Sequence, residues 1–184
     1  DPHKVFQIPI SYNAKLFRVA DNEEKMAIRN SLKIPQSAVV IGSFQKDGYG
    51  FADGNEPKLI KGPDVFLDVL AQLQAEISEL FVLLTGPARG YVISGLEKLR
   101  IPYVHRMLND YTSIGCFYNA LDLYLVTSRE EGGPRAILET MASGIPLVTT
   151  NVGQATDLVE HQQNGWIVET DDVDGLAYWS KYAL

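Results

Sequence analysis

An α/β doubly wound parallel sheet is the fold this sequence predicts. Strand-like and helix-like stretches alternate about six times along the chain, the rhythm of successive βαβ units. The stretch "LFVLLTG" is apolar without a break, as in a strand buried on both faces of a parallel sheet. Helix start and stop signals fall between the strands, where crossover helices need them.

Each element follows from its own residues. "KVFQIPI" reads as an opening strand. "DNEEKMAIRNSL" reads as a helix, with Asp21 as N-cap and Glu24 three residues on, the spacing of a capping box. "SAVVIGSF" is a buried strand, followed by a long glycine-rich loop, "QKDGYGFADGNEPKLIKG". Pro63 suits the first position of a helix, and Val65, Phe66, Val69, Leu70, Leu73 and Ile77 then form one apolar stripe. "LFVLLTG" follows as a strand, "YVISGLEKL" as a helix and "PYVHR" as a short strand. "LDLYLVTS" is a strand that runs into a helix from Pro134 to Ser143. Gly144 suits that helix's left-handed cap and Pro146 blocks its continuation. "IPLVTT", "QATDLVEHQ", "GWIVE" and "VDGLAYWSKYAL" complete the alternation as strand, helix, strand and helix.

The bulk properties bound the function. The 184 residues fit one domain spanning 1–184, and 46% apolar content supplies a core. Net charge is −7, from 16 basic and 23 acidic residues, which argues against nucleic acid as partner. Cys116 is the single cysteine, so no internal disulfide is expected and a reducing, cytoplasmic setting fits. No apolar run reaches membrane-spanning length, and the opening residues do not read as a signal peptide.

The chemistry concentrates in "TSREEGGPRAILETMASGIP". Its helix starts at the carboxyl end of a sheet strand, where ligands of such folds bind. A helix N-terminus offers free N–H groups and about half a positive charge. Gly132 and Gly133 keep side chains out of the way of an anion. Glu139 lies about 7–8 Å into the helix at the α-helical rise, and helical side chains lean back toward the start. Its carboxylate can accept from two hydroxyls, as on a ribose beside a phosphate. Glu131, separated from Glu139 by seven residues in Glu-x7-Glu spacing, can reach what hangs beyond the phosphates. Taken singly, the two glutamates would read as a helix-dipole charge and a surface residue.

"SREEGGPRAILETMASGIPLVTTNVG" resembles the Glu-x7-Glu segment of retaining glycosyltransferases of the GT-B fold, especially glycosyltransferase family 4. "DLVEHQQNGWIVETDD", "IGSFQ…IKGPDVFLDVLAQL" and "KVFQIPISYNAKLF" are similar to other family segments, in the family's order. The resemblance implies the Rossmann-like C-terminal half of a two-domain enzyme, with the acceptor-binding N-terminal half absent from this chain. It implies that Glu139 holds the ribose and Glu131 lies near the donor sugar. Gly132, Gly133, Arg135 and Ala136 would face sugar and diphosphate through backbone, and Lys61 would be the diphosphate cation. Arg106 and Met107 would touch the base, and Gly86 would line the cleft. Two positions depart from the pattern. Ser43 stands where an arginine is usual, with Lys46 as the candidate replacement, and Pro134 stands where glycine is common.

The implied activity is hexosyl transfer with retention from a UDP- or GDP-sugar to a glycan or lipid-linked saccharide, with no added cofactor. The implied setting is the cytoplasm, at the inner membrane face for the full enzyme. The isolated domain is expected to be inactive. A non-catalytic nucleotide-sugar-binding module, a GT-B-like epimerase and a phosphorylase-like protein are the alternatives. A nicotinamide dehydrogenase is disfavoured, because "GYGFADG" lacks the dinucleotide spacing and no helix starts at its end. That loop, if mobile, could cover the donor cleft. Asp172 and Asp174 mimic a metal-binding Asp-x-Asp but sit at a helix start, where acids are favoured anyway. His3, His105 and His161 lack ligand spacing, so no metal site is expected. Trp166 and Trp179 are expected to pack.

Overall fold

A computed structural model describes residues 10–50 and 52–184. The expected opening strand lies almost wholly outside them. The described residues form a six-stranded sheet, β3-β2-β1-β4-β5-β6, in which every pairing is parallel. The strands are β1 (Val39–Phe44), β2 (Leu80–Thr85), β3 (Tyr103–Arg106), β4 (Leu123–Val126), β5 (Leu147–Thr150) and β6 (Trp166–Val168). Strand order reverses between β1 and β4, and such a reversal opens a crevice at the carboxyl ends. The two strands pair only through Ile41↔Leu123 and Gly42↔Tyr124. Beyond that the Phe44 N–H donates instead to the Tyr124 hydroxyl at 2.8 Å.

Two cores cover the two sheet faces. Along β2, Phe81 and Leu83 point into one core and Leu80, Val82 and Leu84 into the other, the alternation of a strand buried on both sides. The first core takes Leu32 of α1 (Asn22–Leu32), Tyr118 of α4 (Ile114–Tyr118) and Ile137 of α5 (Arg135–Ala142). The second takes the stripe of α2 (Pro63–Gln74), Val92 and Leu96 of α3 (Gly90–Leu99), and Leu176 of α7 (Val173–Ala183).

Pro63 is the first residue of α2, as its fixed φ and missing donor favour. The stripe ends one residue early. Ile77 lies past the end of the helix and packs on the second core from the following turn. The capping box of α1 is half formed. Asp21 accepts from the Glu24 N–H at 2.8 Å, but the Glu24 carboxylate turns to Arg18. The expected helix over "QATDLVEHQ" shrinks to α6 (Ala155–Leu158). The Asn164 side chain captures the Glu160 N–H at 2.8 Å and folds the next residues into a turn.

At the amino end of the sheet, Asp122 acts as a clasp. Its carboxylate accepts from Arg29 at 2.6 Å, Lys25 at 2.7 Å and the Val40 N–H at 2.8 Å. These bonds tie α1 and the start of β1 to the start of β4.

Candidate active site

The crevice where β1 and β4 part has a volume of about 340 Å³. Lys61, Glu131, Gly133, Arg135, Ala136 and Glu139 line it, with Pro134, Phe44, Tyr111 and Tyr124. Residues far apart in sequence are thus brought to one place by the reversal of strand order.

Lys61 ends a single 3-10 turn, Leu59–Lys61, before α2. Gly62 follows with φ of 60°. A Cβ there would stand 1.9 Å from the Thr127 carbonyl oxygen. The close approach is needed, because the Thr127 hydroxyl donates to the Gly62 carbonyl at 2.8 Å and seats the turn on the end of β4. Gly62→Ala meets both the left-handed backbone and the clash. We expect a loss of about 2 kcal/mol or more in denaturant unfolding.

Arg129 locks this turn to the loop that carries Glu131. Its two terminal nitrogens grip Asp64 at 2.8 Å each, and its Nε pairs with Asp171 at 2.7 Å. The Leu59 carbonyl accepts from the same guanidinium at 2.7 Å. The N–H groups of Arg129 and Glu130 both donate to the Ile60 carbonyl. Hydrogen bonding to Arg129 holds the Asp64 carboxyl below the usual carboxylate range, and the carboxylates raise Arg129. On this frame the Lys61 ammonium donates to Glu131 Oε1, which also accepts from the Ser128 hydroxyl at 3.1 Å.

Helix α5 begins at Arg135, one residue later than Pro134 predicts. Pro134 is the N-cap, with ψ of 107°, and its carbonyl accepts from the Ile137 N–H at 3.0 Å. Its missing N–H therefore belongs to the approach to the helix, while the first N–H groups of the helix proper stay available as anion donors. Gly144 takes the left-handed conformation expected of it, with φ of 67°. Gly133 lines the crevice and Gly132 sits outside it, exposed.

Glu139 reaches the crevice floor and is only 3% exposed. Its Oε2 accepts from the Tyr118 hydroxyl at 2.8 Å, and its Oε1 accepts from the Tyr111 hydroxyl. Burial, with Tyr124 and Glu139 alongside, pushes the Tyr118 phenol well above its usual range, and burial also raises Tyr124. Tyr111 and Tyr118 lie between the expected strands "PYVHR" and "LDLYLVTS", in a stretch to which no element is assigned above. It holds a 3-10 turn, Tyr111–Ser113, capped by the Asp110 side chain, and then α4. The signal was there: Asp110 as a cap, then Ile114, Phe117, Tyr118 and Leu121 at helical spacing.

Other candidates lie apart from this group. Ser43 is buried, and its hydroxyl accepts from Arg89 at 3.0 Å. Arg89 itself is fully buried. It donates to the carbonyls of Ser43, Thr85 and Gln45 at 2.6, 2.9 and 3.0 Å and pairs with buried Asp47 at 3.0 Å. Lys46 is half-buried on the same loop and does not line the crevice. Gly86 does not line the crevice itself; with φ of 92° it lies against Gln45, which does, and the Gln45 carbonyl is 2.8 Å from where a Cβ would stand. Arg106 and Met107 are exposed at the end of β3, and Met107 lines a separate cavity of about 500 Å³ with His105. His105 Nε2 lies 2.7 Å from the Gly86 carbonyl.

The remaining motifs have structural partners. Asp172 caps α7, and Asp174 accepts from Gln72. His161 packs edge-on against Trp179, which stacks on Trp166. The described part of "GYGFADG" is anchored, since the Asp53 and Gly54 carbonyls accept from the first N–H groups of α3. Among the described residues no group of three or more metal-ligating side chains converges, and no helix is long and apolar enough to cross a membrane.

Comparison with known proteins follows the same lines. Residues 54–179 match the family described as Glycosyl transferases group 1. The chain is 30% identical over 125 residues to a lipopolysaccharide core biosynthesis mannosyltransferase, LpsB, of Rhizobium meliloti. That match covers 63% of this chain and 36% of the relative. Among solved structures, Anabaena HepE in complex with UDP and glucose superposes with a TM-score of 0.72 at 23% identity, over 91% of this chain and 44% of that one. The C-terminal domain of a glycosyl transferase group 1 protein, LpcC, from Francisella tularensis superposes with a TM-score of 0.74 at 18% identity. There the match covers 94% of this chain and 87% of that domain. The chain thus spans less than half of the LpsB and HepE chains that it matches.

Proposed function

Since the chain belongs to the Glycosyl transferases group 1 family, we propose that it is the C-terminal, donor-binding half of a retaining family 4 glycosyltransferase. What supports this most is the convergence of Lys61, Glu131 and Glu139 in one crevice at the reversal of strand order. The ligand is a nucleoside-diphosphate sugar, UDP- or GDP-linked. Its ribose sits on Glu139. Its diphosphate lies between Lys61 and the N-terminus of α5, with Arg135 beside it. Its sugar extends toward Glu131.

Transfer of the hexosyl group with retention breaks the bond between the anomeric carbon and the diphosphate. Charge then builds on the leaving oxygen, where a lysine ammonium and fixed N–H dipoles stabilise it best. Glu131, held by Lys61 and Ser128, fixes the position of that ammonium and serves as a polar contact for the sugar. The acceptor, a glycan or lipid-linked saccharide, is bound by an N-terminal half encoded elsewhere in a longer protein, in the cytoplasm at the membrane face. The greater length of LpsB is consistent with that arrangement.

Titration calorimetry of this chain with UDP and GDP tests the donor site. Binding is expected, and Glu139→Ala should weaken it about tenfold to hundredfold, the worth of charge-assisted hydrogen bonds to the ribose. Absence of binding at millimolar nucleotide would sink the reading. The chain alone is expected to transfer no sugar, which an assay with UDP-sugars and saccharide acceptors checks.

A further inference from the structure

The carboxylate of Glu139 is held by two phenols in different surroundings. Tyr118 is fully buried, wedged against Tyr124 and Phe44, and cannot leave without opening the core. Tyr111 is 41% exposed, on a single turn at the rim of the crevice. Its hydroxyl holds Oε1, and its ring meets Phe17 edge-to-face and lies under the guanidinium of Arg135, 5.7 Å from the ring centroid.

We infer that Tyr111 is a place-holder on Glu139, which a ligand bearing ribose hydroxyls displaces, while Tyr118 stays as the positioning residue. This rests on the reading of Glu139 as the ribose-binding carboxylate. The geometry leaves one direction of exchange. A ligand hydroxyl entering the crevice meets Oε1 already bonded, and a side-chain rotation at the exposed rim frees it. Oε2 keeps its bond to Tyr118 throughout, so the carboxylate presents one oriented oxygen rather than rotating. The exchange has a second effect. Arg135 rests over the Tyr111 ring at the start of α5, and withdrawal of the ring releases this guanidinium beside the helix N-terminus, where a diphosphate would lie. The place-holder thus couples occupation of the ribose position to delivery of a cation. It also makes the site selective, because only a ligand that brings its own hydroxyls replaces the lost bond.

The test is calorimetric titration of the wild-type chain and of Tyr111→Phe, Tyr118→Phe and Glu139→Ala with UDP and with its dideoxyribose counterpart. Tyr111→Phe removes the competing hydroxyl and keeps the ring. It should bind UDP about tenfold more tightly, the worth of one hydrogen bond to a charged group. The dideoxy compound should gain much less. Tyr118→Phe should instead weaken UDP binding, with melting temperatures of both variants recorded to show that they fold. UDP affinity of Tyr111→Phe at or below wild type overturns the inference, as does tightening by Tyr118→Phe. The two levels of the argument separate at Glu139→Ala. If that variant keeps the preference for UDP over the dideoxy compound, Glu139 does not hold the ribose and both readings fall. If the preference disappears while Tyr111→Phe binds no better than wild type, only the place-holder is overturned.

Discussion

Arg89→Met is expected to destabilise the fold by about 3–5 kcal/mol, the cost of stranding one member of a buried ion pair. Arg89 and Asp47 are both fully buried, and the guanidinium also satisfies three carbonyls at the ends of β1 and β2. Methionine fills part of the volume but leaves Asp47 without a counter-charge and those carbonyls without their donor. The cost should depend on pH. Burial raises the Asp47 carboxyl above its usual range, outweighing the pull of Arg89. A carboxyl raised in the fold binds its proton more tightly there than in the unfolded chain. Its contribution to stability is therefore largest at acid pH and falls as pH rises above the ordinary carboxylate range. Loss of Arg89 raises Asp47 further, so the destabilisation should be smaller near pH 4 than at pH 7. Urea unfolding at both pH values checks this, and Asp47→Asn in the Arg89→Met background should recover about half of the loss. A loss below about 1 kcal/mol at neutral pH would show that water reaches the pair.

Lys61→Ala is expected to weaken UDP binding by more than about a hundredfold, roughly 3 kcal/mol. Two effects add. In the proposed donor geometry, the variant removes the cation that meets the diphosphate, and it leaves Glu131, itself largely buried, as an uncompensated negative charge beside it. Glu131→Gln should do the opposite. It removes the charge that holds Lys61 and should tighten UDP binding. Uridine, which has no phosphates, is the control, and neither change should move its affinity more than a few fold. Equal loss of UDP and uridine affinity in Lys61→Ala would mean that the lysine shapes the crevice rather than meeting the diphosphate.

Much of the scaffold is legible in local pattern. Pro63 and the stripe behind it specify α2, and the unbroken apolar run of β2 specifies a strand covered on both sides. The Glu-x7-Glu segment was legible because its parts are close in sequence and tied to one helix. Pro134 was misplaced by a single residue, since proline is tolerated both as a first helical residue and just before it. What escaped were partnerships across long separations. Arg89 meets Ser43 across 46 residues, and Arg129 meets Asp64 across 65. No periodicity records such contacts, because they arise only when parallel strands bring their carboxyl ends together. Tyr111 and Tyr118 were missed for another reason. They sit on one short turn and one short helix, and the Asp110 cap and apolar spacing that mark them span few residues between two stronger strands.

The Asp122 clasp and the crevice occupy opposite ends of β4. Asp122 precedes the four residues of β4 and Thr127, on which the turn bearing Lys61 is seated, follows them, so at about 3.3 Å per residue some 16 Å of sheet separates the clasp from the Lys61 end of the crevice. Sites that far apart, with no shared partners, respond to substitution almost additively. Changes that alter the ligand at one end therefore leave the anchorage at the other untouched. A reserve of stability held by Arg29, Lys25 and Asp122 can absorb the losses that remodelling the crevice brings. A lineage, or a laboratory, can vary the donor chemistry of such a domain without first having to strengthen its frame.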